Sequence, residues 1–134
     1  MSPRTVFLAR LVGLSILLIA LAIIANRAAT AVAFVQLVHD PAALWLAAML
    51  GLVAGLALVL GHNVWSGGVT AVLVTAIGWI TLIKSAVILA LPWSPEMVEA
   101  LSGWLRAPAF LYFDGAVLLV LGLILTVGGF RAGR

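Results

Sequence analysis

Four uninterrupted apolar stretches, at roughly residues 6–26, 42–63, 68–91 and 109–129, constrain this chain more than any other feature. A helix needs ~20 mostly apolar residues to cross ~30 Å of hydrocarbon, and each stretch supplies them. With 66% hydrophobic and 8% charged residues, there is too little polar surface to clothe a water-soluble core. Lipid-facing barrel strands alternate in polarity over about ten residues, whereas these stretches are continuously apolar. The expected fold is all-α: a four-helix transmembrane bundle in one transmembrane domain spanning residues 1–134, with two short interfacial amphipathic helices.

The absence of cysteine excludes disulfides, thiolate metal sites and thiol redox chemistry. The net charge of +3 comes from few residues, and no basic patch is interleaved with aromatics, so nucleic acid is not an expected partner. Arg4 and Arg10 ahead of the apolar run Leu11–Ala25, with small residues at 28–31, resemble a secretory signal. The length of that run favours a retained span. Four spans put both termini on one side, and Arg4, Arg10, Arg131 and Arg134 make that side cytoplasmic by the positive-inside rule, most simply in a bacterial inner membrane.

The connections carry order of their own. Ser94 and Pro95 read as an N-cap and first-turn proline, after which Met97, Val98, Leu101, Trp104 and Leu105 recur at helical spacing opposite Glu96, Glu99 and Ser102. This predicts a short amphipathic helix in the interface, and residues 28–38 form a less polar version. Asp40 with Pro41 opens the second span, and Pro108 opens the fourth. Trp45, Trp93, Trp104 and Tyr112 suit an aromatic belt, while Trp79 falls near mid-span.

Aligning those prolines exposes an internal repeat. Pro41, Leu44, Leu52, Val53, Gly55 and Leu58 are matched 67 positions later by Pro108, Leu111, Leu119, Val120, Gly122 and Leu125. The chain reads as a doubled unit of span, interfacial helix and span, over about 6–63 and 68–129, with the halves related by an axis along the membrane normal. In this plan it resembles small, uncharacterised bacterial inner-membrane proteins built from one such hairpin. That resemblance implies architecture and no activity.

Lys84 and Asp114 are the chemical exceptions, two charges inside apolar segments. Each lies ~9 to 12 Å below the outer end of its helix at 1.5 Å rise per residue, so an intramembrane ion pair between spans three and four is expected. A charge at that depth costs ~2.5 to 3.5 kcal/mol, which makes the pair either a packing clamp or a functional site. Register 67 places Leu17 and Ala47 at the corresponding points of the first half.

His62 and Asn63, with Trp65 and the glycines to Gly68, form a polar turn read chiefly as a helix stop with a tryptophan anchor. His39 and His62 flank opposite ends of one helix and cannot share a metal or haem iron. No cofactor and no metal site is expected. Gly51 with Gly55, and Gly115 with Gly122, offer small-residue packing faces. No carboxylate pair, Ser-His-Asp arrangement or phosphate-cradling loop is present, so an enzyme is not expected. The leading expectation is an interaction or accessory subunit of a membrane complex, partnered by the bilayer and by its own copies or larger membrane subunits. The alternative is an oligomeric transporter or channel built on Lys84 and Asp114.

Overall fold

A computed structural model describes residues 2–132, so Arg134, counted above among the terminal cations, lies outside the described residues. Six helices follow in order: α1 (Pro3–Ala25), α2 (Arg27–His39), α3 (Pro41–Gly61), α4 (Val69–Ala90), α5 (Pro95–Arg106) and α6 (Pro108–Arg131). No strand occurs among the described residues, and α1, α3, α4 and α6 are each long and apolar enough to cross a membrane. The all-α transmembrane bundle expected from the apolar stretches is therefore the fold observed.

Local chemistry sets the boundaries. The Ser2 hydroxyl accepts the Thr5 N–H ahead of α1, and Asp40 Oδ1 accepts the N–H groups of Ala42 and Ala43 at 3.0 and 3.1 Å ahead of α3. Ser94 accepts the Met97 N–H at 3.4 Å ahead of α5, and a proline sits in the first turn in all three cases. Such caps satisfy N–H groups that a helix start leaves without partners. In α5 Glu96, Glu99 and Arg106 are exposed and Leu105 is buried, but Ser102, expected on the wet face, is buried against His39, and Trp104 of the expected apolar face is exposed. Helix α2 differs from the expected amphipathic pattern, because its apolar residues run all round it and only Val38 is buried.

Only one of the two principal helix pairs joins neighbours in sequence. Helix α1 packs mainly on α6 and α3 mainly on α4, while α4 also touches both α1 and α6, and α2 packs on α5. Glycines set this choice by admitting another backbone closely. A Cβ at Gly13 would lie 2.7 Å from Thr126 N, and one at Gly122 would lie 2.8 Å from Leu17 N. Across α3 and α4, a Cβ at Gly55 would lie 2.6 Å from Leu82 N, and one at Gly78 would lie 2.8 Å from Leu58 Cβ.

These contacts correspond between the two helix pairs. Gly13 and Gly78, and Leu17 and Leu82, stand 65 residues apart, whereas Gly55 and Gly122, and Leu58 and Leu125, stand 67 apart. The core follows the same rule: Ala9, Leu8 and Val12 of α1 take the places that Val74, Leu73 and Ile77 take on α4, packed around Leu125 and Leu58. A single register of 67 therefore holds for α3 and α6 but not for α1 and α4. The difference arises between spans, where residues 91–94 replace the single residue Asn26 and α5 is one residue shorter than α2.

Candidate functional site

Lys84 and Asp114 lie on α4 and α6, which touch each other far less than α4 touches α3 or α6 touches α1. The expected direct ion pair is not formed: among the described residues the only pair within 4.0 Å is His39 with Glu99. Asp114 is half-buried, whereas Lys84 is exposed in the middle of an apolar stripe formed by Ile80, Ile83, Val87 and Leu91. Helical Cβ atoms tilt toward the N-terminus, so the Lys84 stem leans away from the nearer end of α4 and the Asp114 stem leans toward the start of α6. In the register of the close contacts, Lys84 corresponds to Ile19 rather than Leu17, and Asp114 to Ala47. The charged edge therefore has no counterpart in the first half.

All four glycines singled out in the sequence make contacts inside the chain. Gly51 meets Ser85, Gly55 meets Leu82, Gly115 meets Ile24 and Gly122 meets Leu17. Gly13, Gly78, Gly128 and Gly129 also face other helices and were missed, although the offset of 65 between the first two was present in the sequence.

The turn after α3 is more built than a helix stop. Thr75 lies fully buried on α4, where its hydroxyl accepts the Val64 N–H at 3.0 Å and has the carbonyls of Val64, Ala71 and His62 within 2.9, 3.1 and 3.3 Å. The end of α3 is thereby held level with Thr75, six residues inside α4, and irregular backbone at that depth finds its polar partners in protein. Asn63 Oδ1 accepts the indole N–H of Trp65 at 2.8 Å and of Trp79 at 3.3 Å. Trp79 therefore anchors the turn and is not an isolated mid-span residue. Gly67 and Gly68 carry φ of 93° and 120°, conformations that glycine adopts without a Cβ penalty. His62 is buried with Nε2 unpartnered. At the corresponding place on α1 and α6, Arg10 Nε donates to the Gly129 carbonyl at 3.1 Å and its guanidinium lies 4.7 Å from the Phe130 ring centroid. A cation there suits the negative end of α6.

At the opposite end, α2 and α5 shape two open-sided cavities. One, of about 390 Å³, includes His39, Pro41, Leu44, Trp45 and Trp93 in its walls. His39 Nε2 stands 3.4 Å from Glu99 Oε1, and its Nδ1 lies 3.5 Å from the hydroxyl of buried Ser102. The other, of about 220 Å³, includes Arg27, Arg106, Pro108, Leu111 and Tyr112. In the first turn of α5, Ser94 and the backbone N–H of Glu96 hold the exposed Glu96 carboxyl below the ordinary carboxylate range. Among the described residues no three His, Asp or Glu side chains gather as a metal-binding group.

Fold and geometry together define a small helical bundle with the build of a multi-pass membrane protein. Compared with models of known protein families, with curated proteins and with solved structures, the chain matches none of them.

Proposed function

We propose that this chain is a non-catalytic accessory or scaffold subunit, two fused two-span units of which the second docks a membrane partner through Lys84 and Asp114. The observation that carries the reading is Lys84, a cation exposed in an apolar stripe of a spanning helix with no carboxylate within 4.0 Å among the described residues. A polar or acidic group from a neighbouring helix, entering at that depth, would satisfy Lys84 and share the field of Asp114. Such intramembrane polar contacts are worth about 0.6 to 2 kcal/mol each, enough to choose an orientation on an apolar surface. Both charges lie outside the walls of all five cavities described on the molecule, so the transport alternative would need further copies to build a path.

We further place both termini on the cytoplasmic side of a bacterial inner membrane. The contact between Arg10 and Gly129 brings the termini to one end of the bundle, and that end carries Arg4, Arg10 and Arg131.

The test is photocross-linking in native membranes from Val87, exposed one turn from Lys84, against Leu50, exposed at similar depth on α3. The reading expects a discrete adduct with a second polypeptide from position 87 and none from position 50. It also expects Lys84→Met to abolish the adduct while the bundle stays folded. Loss of folding in Lys84→Met, or equal adducts from both positions, would overturn it in favour of an internal clamp or of nonspecific contact.

A further inference from the structure

The two cavities at the α2 and α5 end are counterparts under the internal repeat. In register 67, Pro41, Leu44 and Trp45 of the larger cavity correspond to Pro108, Leu111 and Tyr112 of the smaller, and His39 corresponds to Arg106. The cavities, each lined by residues of both halves, differ in charge. The larger has an acid, Glu99, beside His39; the position corresponding to Glu99 is Val32, an exposed apolar residue. The smaller therefore presents Arg106 without a corresponding carboxylate and adds a second cation, Arg27. Neither arginine has an acid within 4.0 Å among the described residues. The Arg27 guanidinium lies 4.5 Å from the Tyr112 ring centroid, a stacking contact that fixes its planar fork at the cavity wall.

A second cavity, of about 350 Å³, shares Arg27, Leu111 and Tyr112 with the first and continues along Ile24, Ala116 and Leu119. From Tyr112 to Leu119 the trough follows α6 for ~10 Å at 1.5 Å rise per residue, down into the span. Its lower wall is apolar, and Ala116 leaves it width. Two cations at the mouth of an apolar trough match an amphiphile whose anionic phosphate meets the guanidiniums and whose acyl chain follows the trough. Arginine pairs suit phosphate because each fork can donate two parallel N–H bonds.

We propose that Arg27 and Arg106 form a binding site for an anionic phospholipid, one per chain, with its phosphate at the two guanidiniums and one acyl chain along Ile24, Ala116 and Leu119. The His39 cavity, which has Glu99 beside it and no arginine in its walls, does not share this preference.

The experiment is lipid retention by native mass spectrometry after full-length protein is exchanged into detergent containing phosphatidylglycerol or phosphatidylcholine. The wild type should retain one phosphatidylglycerol and prefer it over phosphatidylcholine by on the order of 10- to 30-fold. Arg27→Gln/Arg106→Gln should remove the preference, and Ala116→Phe should reduce retention of long-chain phosphatidylglycerol. Glu99→Gln alters the other cavity and should leave the lipid held at Arg27 and Arg106 unchanged. Equal retention of both lipids, preference surviving the double variant, or displacement by equimolar inorganic phosphate would each overturn the proposal. Near-identical thermal unfolding of the variants and wild type keeps a loss of binding distinct from a loss of fold.

Discussion

Gly55→Ala and Gly122→Ala should each loosen one of the two helix pairs that build the bundle. The added methyl at position 122 would sit 2.8 Å from Leu17 N and 2.9 Å from its Cα, and at position 55 it would sit 2.6 and 2.7 Å from Leu82 N and Cα. Nonbonded carbon contacts are comfortable near 3.5 to 4.0 Å, so each substitution lacks ~1 Å. The opposing atoms are backbone, and only a shift of the helices relieves the clash. Overpacking of this kind costs about 1 to 3 kcal/mol, while alanine recovers up to ~1 kcal/mol through helix propensity. A net loss of about 1 to 2 kcal/mol is expected for each variant, roughly a 5- to 30-fold fall in the folding constant. The two sites lie on different helix pairs, so the double variant should lose close to the sum. Gly103→Ala is the control, since nothing lies within 4 Å of a Cβ there. The assay is reversible unfolding in mixed micelles at rising SDS fraction, followed by tryptophan fluorescence. If the variants at 55 and 122 prove as stable as Gly103→Ala, the close-packed account of the bundle is wrong.

Thr75→Val should cost about 1 to 3 kcal/mol by leaving the Val64 N–H unsatisfied, and should raise labelling of a cysteine placed at Ser66, whereas Thr75→Ser should retain most of the stability. Ser94→Ala removes the α5 cap, a loss of about 1 kcal/mol, and should return the Glu96 carboxyl toward its ordinary range in an NMR titration. The sign follows from linkage: because the folded carboxyl is held low, its contribution is full above the unfolded Glu value and fades as pH falls through the folded one. Arg10→Met should fray the end of α6 by freeing the Gly129 carbonyl, seen as faster amide exchange at Arg131 and Ala132.

Composition and apolar run length exposed the spans to within a few residues, because a bilayer admits few alternatives. The caps at Asp40 and Ser94 were legible for a similar reason: a side-chain acceptor and a following proline act locally. Helix partners were not, since which glycine faces which neighbour depends on rotation about the helix axis. That is why Lys84 and Asp114 looked like adjacent partners when α4 in fact packs on α3 and α6 on α1. The Leu-rich repeat was visible in α3 and α6, but two extra residues between α4 and α6 hid the register of Gly13 with Gly78. Nothing in the sequence joins Arg27 to Arg106, because their shared cavity forms when α2, α5 and the start of α6 come together.

The most direct test of the docking role is native mass spectrometry of the protein released from its own membrane by gentle detergent, wild type beside Lys84→Met. The account predicts that wild-type chains leave with a second polypeptide, either another copy or a larger subunit, and that Lys84→Met chains leave folded and alone. Wild-type chains released singly, or a partner retained by Lys84→Met, would contradict it.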